Sequence, residues 1–242
     1  MTIAGIVPAA FARSILRRWH RFRLRRVRWG SLRRTEPISR VFGLDRGQAI
    51  DRYYIEAFLA RHRQDIKGRV LEIGDPDYTR RFGADRVARS EVLHAIPGNP
   101  AATLIGDLAT GEGIPAGAFD CLILTQTYPF IFDVQAAIAH SQAALKPGGV
   151  LLATLPGVSQ ISRYDMDRWG DFWRFTDASA RRLFGAVFGV ENVRVETYGN
   201  VLTACAFLQG LAAHELKREE LDYQDPDYQL IITVRAVKAG DD

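Results

Sequence analysis

Carboxylates stand at or near the ends of successive apolar segments of this chain. Glu72 lies inside the segment RVLEI, and Asp75 follows it. Glu91 lies near the end of a second segment, and Asp107 follows a third. A carboxylate placed like Glu91 can accept hydrogen bonds from two ribose hydroxyls, and one placed like Asp107 can accept from an adenine amino group. The pattern predicts a nucleoside-binding crevice, although a buried structural carboxylate is the less favoured alternative for Glu72.

The loop after the first apolar segment is acidic and bulky, reading GDPDYT at 74–79. Gly74 lets the backbone approach a ligand closely because it has no side chain. A dinucleotide needs further glycines and free N–H groups around its pyrophosphate. This loop instead offers Asp75 and Asp77, which attract positive charge. The loop therefore argues against a nicotinamide-dependent oxidoreductase, and it does not exclude a cationic ligand that carries no phosphate.

A segment rich in aromatic and charged side chains follows the last of these apolar runs. Its members are Asp165, Asp167, Arg168, Trp169, Trp173 and Arg174. Two tryptophans within five residues are unusual for a solvated loop, so we interpret residues 158–178 as a lid over an acceptor. Arg168, Trp169 and Trp173 are its predicted substrate contacts. Aromatic faces with carboxylates between them suit a sugar or another polyhydroxylated acceptor.

If the substrate reacts through a hydroxyl group, a base is needed to remove the proton of that hydroxyl. The candidate bases are Asp165 and His94. His94 is the histidine nearest a predicted strand end, although it could also be a polar loop residue. The chain shows no His, Cys and Asp set with metal-ligand spacing, and no Gly-x-Ser-x-Gly motif or phosphate-binding loop. These absences argue against a metal site, a serine hydrolase and a nucleotide-phosphate enzyme.

Strand-like and helix-like segments alternate from residue 50 onward. The predicted strands cover residues 69–73, 87–93, 102–105, 119–125, 150–154, 193–198 and 230–237. Helices are predicted to start at Ile50 and to cover residues 133–145, 179–187 and 202–211. This alternation predicts an α/β fold with a doubly wound, mostly parallel sheet of seven strands.

Several motifs follow one another in a fixed order along this pattern. They are VLEIGD at 70–75, Glu91, GDL at 106–108, FDCLILTQT at 119–127 and LKPGGVLLATLPG at 145–157. In this order and spacing they resemble the class I S-adenosylmethionine-dependent methyltransferases, whose sheet is Rossmann-like. The stretch RWGDFWRFTDASARRLF at 168–184 resembles the segment after the core in small-molecule and glycan methyltransferases.

The resemblance implies S-adenosylmethionine as cofactor and transfer of its methyl group to an oxygen or nitrogen of a small-molecule or glycan acceptor. The implied cofactor residues are Glu72, Gly74, Asp75, Glu91, Asp107, Leu108, Thr125 and Gln126. Thr125 and Gln126 are expected near the methyl group and the acceptor, although they could simply cap the following turn. The family's glycine-rich turn has a second glycine, which this chain lacks. A non-catalytic, methyltransferase-like partner protein is therefore the alternative.

The charge of the chain is divided unevenly. Residues 13–34 contain ten arginines and no acid, whereas the rest has 22 basic and 28 acidic residues, a net charge of −6. We therefore predict an Arg-rich arm at 1–34, a connector and helix at 35–66, and a methyltransferase-like domain at 67–242. The composition is that of a globular protein, and no run of 18 apolar residues suggests a spanning helix.

The arm has three interpretations besides a solvated extension. Arg beside Trp and Phe suits an anionic membrane surface. Nucleic acid is less favoured, because no second basic patch follows. The absence of acids also fits an organellar transit peptide, whereas a secretory signal is excluded because its charges would come first. We expect a cytoplasmic protein that contacts membranes peripherally, or a module in which the arm is the function.

Overall fold

The computed structural model of the protein describes residues 30–240. The chain forms two compact units, residues 1–36 and 37–242. In the first unit, the described residues 30–36 contain one 3-10 turn at Gly30–Leu32. Most of the predicted arm, residues 1–29, lies outside the described residues.

The second unit is built on a seven-stranded sheet. Its strands are β1 Gly68–Ile73, β2 Val87–His94, β3 Leu104–Ile105, β4 Phe119–Thr125, β5 Leu145–Pro156, β6 Val193–Tyr198 and β7 Ile231–Val237. They lie in the order β3-β2-β1-β4-β5-β7-β6. Strands β1 to β5 pair in parallel, and β7 runs antiparallel between β5 and β6. The predicted mostly parallel sheet is confirmed.

The helices are α1 Ile50–Arg61, α2 Val134–Ala144, α3 Arg163–Met166, α4 Asp177–Phe188, α5 Val201–Leu208 and α6 Arg218–Asp222. Several of these helices begin at a polar residue whose side chain caps the first turn and which precedes an apolar run. Asp133 accepts from the N–H of Ala136 at the start of α2, and Thr176 accepts from the N–H of Ser179 at the start of α4. Such caps satisfy N–H groups that the first helical turn leaves unpaired.

The sheet is covered by helices on both faces, as a doubly wound fold requires. In β4 the side chains alternate: Leu122 and Leu124 pack in the core cluster of α2 and α4, whereas Cys121 and Ile123 pack in the cluster of α1 and α5. Both faces are therefore buried, which explains why this strand is almost entirely apolar.

Residues 37–49, which we call the strap, run over the end of α5 before α1 begins. The N–H groups of Ile38 and Ser39 donate to the carbonyl of Gln209, at 2.8 and 3.1 Å. The approach is close enough that a Cβ on Gly210 would lie 2.3 Å from the carbonyl oxygen of Ser39. This contact holds the strap along the edge of the sheet where β1 to β5 end.

Candidate functional site

A cavity of about 920 Å³ opens at the carboxyl ends of the parallel strands. Among its lining residues are Gly74, His94, Asp107, Gln126 and Pro156, which lie at or just after the ends of β1, β2, β3, β4 and β5 respectively. The strand ends form one wall of the cavity, and Phe42 and Leu44 of the strap form a second. The lid, residues 158–178, forms the third wall. Ligands of open α/β sheets bind at this edge, and the volume is at the upper end of the ~300–1,000 Å³ typical of ligand pockets.

The loop after β1 exposes its backbone to this cavity. Gly74 has φ of +84°, and a Cβ built on it meets no atom within 4 Å. The Asn99 side chain donates to the Gly74 carbonyl at 2.6 Å, and Asp75 accepts from the N–H of Asp77 at 3.0 Å. Gly74 and Asp75 both line the cavity. Asn99, which the sequence did not single out, fixes the loop from the β2 side.

Glu72 supports the loop from behind and does not line the cavity. Its carboxylate is buried and accepts from the N–H groups of Tyr78 and Thr79, at 3.1 and 2.7 Å. Burial raises the pKa of Glu72 to about 7, against the hydrogen bonds from Thr79 and Tyr78, which lower it. The contacts of Glu72 within the protein are therefore those of a buried structural carboxylate, which was the alternative to a cofactor-binding role.

This raised pKa gives a pH prediction. A carboxyl that holds its proton more tightly when folded stabilises the protein below its unfolded pKa near 4.5, and that contribution is lost as pH rises through about 7. Glutamine does not titrate, so Glu72→Gln lacks this pH dependence. As pH rises from 4.5 to 7, the wild type should therefore lose about 3 kcal/mol of unfolding free energy relative to the variant. Denaturant titrations at several pH values measure it. Glu219→Gln, on the surface, is the control, and a difference independent of pH would contradict the prediction.

Three further predicted residues lie at the end of β2 or just after β3. The ring of His94 lines the cavity, and its Nδ1 lies 2.7 Å from the carbonyl oxygen of Ile96. Asp107 also lines the cavity, and one of its carboxylate oxygens accepts from the N–H of Ala109 at 2.7 Å. Leu108 is buried beside it and contributes to the lining. The topology therefore brings these three together with the loop after β1.

The structure corrects the placement of Glu91. Strand β2 continues for three residues beyond Glu91, so the carboxylate lies within the strand and outside the cavity lining. It is 1% exposed and pairs with Arg69 and Arg89, each at 2.7 Å. The Glu91 carboxylate is thus paired with two guanidinium groups outside the cavity lining, and the residue at the end of β2 is His94.

The turn after β4 is strained. Gln126 has φ of +51°, although it is not glycine, and it lines the cavity together with Thr125. The backbone N–H of Gln126 donates to the carbonyl of Thr154 on β5 at 3.0 Å. A left-handed conformation at a residue with a side chain costs energy and is concentrated at functional positions. Both predicted residues therefore face the cavity.

The lid is a compact, internally bonded structure. The Ser162 hydroxyl donates to Asp165 at 2.5 Å, and Asp165 lines the cavity. Arg174 donates to both carboxylate oxygens of Asp171, at 2.6 and 3.0 Å, and to the carbonyl of Gln160 at 2.7 Å. The lid thus holds Asp165 in a fixed place opposite the strand ends.

The predicted aromatic and basic lid residues separate into two groups. Trp169 lines the cavity and packs edge to face on His94, with ring centroids 5.9 Å apart. Arg168 also lines it, and its guanidinium lies over the Tyr164 ring, 3.5 Å from the centroid. Trp173 does not line the cavity. Its indole N–H donates to the carbonyls of Ile131 and Phe132, so it supports the wall from behind.

Sequence reasoning missed the contribution of α1. Asp51 and Arg52 stand in its first turn and line the cavity. Burial lowers the pKa of Arg52, but the neighbouring charge of Asp51 and the Tyr78 hydroxyl outweigh this and leave the pKa raised. Arg52 is therefore a fixed cation near Asp75. In the sequence these two residues read only as the start of an amphipathic helix.

Two absences concern the described residues alone. Residues 30–240 hold no group of three or more His, Cys, Asp or Glu side chains placed to bind a metal ion. Within the same range, the helices lack the length and apolar character needed to cross a membrane.

No model of a protein family matches this chain, and no curated protein sequence matches it either. Solved structures do. The [4+2]-cyclase SpnF has a TM-score of 0.52 at 16% identity, and the match covers 81% of this chain and 85% of SpnF. The N-methyltransferase NodS from Bradyrhizobium japonicum WM9, solved with S-adenosylhomocysteine, has a TM-score of 0.50 at 13% identity, covering 80% of this chain and 89% of NodS. The chain therefore has the fold of class I S-adenosylmethionine-dependent methyltransferases.

Proposed function

We propose that the protein is an S-adenosylmethionine-dependent methyltransferase that acts on an oxygen or nitrogen of a small-molecule or glycan acceptor. The observation that carries this proposal is the cavity itself. It joins the open loop at Gly74 and Asp75, Asp107 after β3 and the strained turn at Gln126 at one edge of the sheet.

The side chains present fit the cofactor. Asp75 supplies negative charge for a sulfonium and an ammonium, and Arg52 supplies a cation for a carboxylate. Asp107 is held by Ala109 so that it can accept from an adenine amino group. Gly74 exposes backbone where a side chain would otherwise stand. We assign these four residues to cofactor binding, with Leu108, Thr125 and Gln126 completing the wall.

When bound, S-adenosylmethionine supplies a methyl group on a sulfonium, which is already a good leaving group. The protein therefore has to position the acceptor and exclude water, which are large contributions in such reactions. The lid performs both tasks, since Trp169 and Arg168 face the cavity and Arg174 keeps the lid folded.

The two candidate bases, His94 and Asp165, both line the cavity, His94 at the end of β2 and Asp165 in the lid. His94 Nδ1 lies 2.7 Å from the Ile96 carbonyl oxygen, which can only accept a hydrogen bond, so the neutral tautomer that makes this bond has Nε2 as its acceptor. Asp165 receives the Ser162 hydroxyl on one oxygen and can take a proton on the other. Either group can remove the proton of an acceptor hydroxyl.

The second candidate function is ligand binding by the same fold without methyl transfer. The loop after β1 lacks a second glycine, and one structure with this fold is a cyclase by name. Under this alternative the cavity would bind a ligand without transferring a methyl group.

Calorimetry of the full chain with S-adenosylhomocysteine tests the cofactor. We expect binding, and we expect Asp107→Asn to weaken it about tenfold, since one amino-group contact is worth about 1.4 kcal/mol. Glu91→Gln is the matched control, because its carboxylate pairs with arginines outside the cavity. Absence of binding, or an effect of Glu91→Gln as large as that of Asp107→Asn, would contradict the proposal.

The acceptor is then sought with S-adenosylmethionine carrying a labelled methyl group. Metabolite and glycan extracts are incubated with the protein, and labelled products are identified by mass spectrometry. We expect label in a small molecule or glycan. Binding of S-adenosylhomocysteine without label in any extract would favour the non-methylating alternative.

A further inference from the structure

The mouth of the cavity is surrounded by exposed apolar side chains. Those that both line it and are exposed are Leu44, Ile96, Phe132, Tyr164 and Phe172. They come from four separate parts of the chain: the strap, the segment after β2, the segment after β4 and the lid. The exposed apolar surface therefore borders the opening on several sides. We call these five residues the rim.

Phe132 is the most exposed member of the rim, at 71%. It packs edge to face on Phe172, with centroids 5.4 Å apart, and lies 6.0 Å from the ring of Trp173. The Trp173 indole N–H donates to the carbonyls of Ile131 and Phe132, which ties the Trp173 ring to the segment that carries Phe132. Grouped exposed aromatics of this kind mark a binding surface, since leaving them in water is unfavourable.

The occupant of this surface is indicated by the charge of the chain. Ten arginines lie in residues 13–34, interleaved with Trp19, Phe22 and Trp29, and the strap that carries Leu44 follows directly in sequence. Basic residues are attracted to acidic lipid by about 1 kcal/mol each near the surface. Aromatic and aliphatic side chains beside such charges insert at the boundary between headgroups and acyl chains.

We propose that the rim docks on an anionic lipid bilayer and that the acceptor is an amphiphile entering the cavity from that bilayer. The apolar rim supplies insertion, and the Arg-rich segment supplies electrostatic attraction. Asp165 and His94, which are polar residues of the cavity lining, would then meet the polar head of the amphiphile. The acceptor part of this inference rests on the proposed function, whereas docking is measured without any turnover.

Tryptophan quenching locates the contact. The full chain with Trp19→Phe and Trp29→Phe retains Trp169 and Trp173, both in the lid. Vesicles of phosphatidylcholine and phosphatidylserine, with acyl chains brominated near the headgroup, should quench this emission. Vesicle binding without quenching would show that the Arg-rich segment binds alone, and it would overturn docking through the rim.

Sedimentation with the same vesicles, unbrominated, measures the contribution of the rim. We expect the double variant Leu44→Ser, Phe132→Ser to reduce the partition coefficient about tenfold, because two inserted apolar side chains are lost. Val190→Ser is the matched control. Val190 is 78% exposed but precedes β6, which runs in the same direction as β5, so it lies at the opposite edge of the sheet.

Equal partitioning of the rim variant and the wild type would overturn the proposal. So would a wild-type dimer in analytical ultracentrifugation that the rim variant converts to monomer, since a second copy would then cover the rim. Calorimetry with S-adenosylhomocysteine on the same variants separates the two ideas. A protein that binds vesicles through the rim but not S-adenosylhomocysteine would retain the docking surface and lose the proposed function.

Discussion

Replacing Gly74 with valine is expected to weaken S-adenosylhomocysteine binding by at least about 100-fold, or about 2.7 kcal/mol. Gly74 lines the cavity at φ of +84°, with open space where a side chain would stand. A β-branched side chain there would displace the ligand and would also favour a different backbone conformation, which moves the adjacent Asp75. Calorimetry of the wild type and the variant measures the loss.

Backbone strain must be separated from loss of the ligand site. Gly148 provides the matched control, since it has φ of +74° and no atom within 4 Å of a built Cβ, yet it lies near the start of β5, away from the cavity. Gly148→Val should share the loss of unfolding free energy but keep full affinity. Gly74→Ala, a gentler change, should fall between the wild type and Gly74→Val. A folded Gly74→Val protein that binds as tightly as the wild type would remove Gly74 from the site.

Asp165→Asn is expected to lower kcat by about 100-fold or more on a hydroxyl acceptor, the range of a lost general base. Asparagine can still accept from the Ser162 hydroxyl, so the lid should keep its shape, and the affinity for S-adenosylhomocysteine should not change. Steady-state kinetics with the identified acceptor and calorimetry with S-adenosylhomocysteine measure these two properties.

Asp167→Asn is the control for this experiment. Asp167 lies two residues away and pairs with Arg163 at 3.2 Å on the exposed side of the lid. The Asp167→Asn variant loses a charge of the lid but keeps the Asp165 carboxylate in the cavity lining. A decrease in kcat of less than about threefold for Asp165→Asn would exclude Asp165 as the base. The same measurement on His94→Gln would then decide whether His94 takes that role.

The elements of the fold could be predicted because their residues carry the signal locally. Strand β4 was predicted at its observed bounds, since a strand buried on both faces is apolar throughout. The capped helix α2 and the strand β6 were likewise placed within a residue or less. The cavity position followed as well, because parallel strands present their carboxyl ends at one edge, where Gly74, Asp107 and Gln126 lie.

Glu91 shows what local sequence could not determine. Its position in β2 depends on where that strand ends, and its partner depends on the pairing of Leu71 with Glu91 between neighbouring strands. That register brings Arg69 within reach of the carboxylate. A carboxylate facing a ribose and one facing an arginine look alike in sequence, since burial and pairing are properties of the folded sheet.

The sequence alone therefore determined the order of strands and helices, the chemistry of the loop after β1 and the uneven distribution of charge. Tertiary structure decided which side chains share the cavity. It adds Arg52 and Phe42 to the cavity lining, and it places Trp173 outside that lining. It also groups the five rim residues from four distant segments. The physical reason is that hydrophobic periodicity and caps act within a few residues, whereas a site is assembled by packing between residues far apart in the chain.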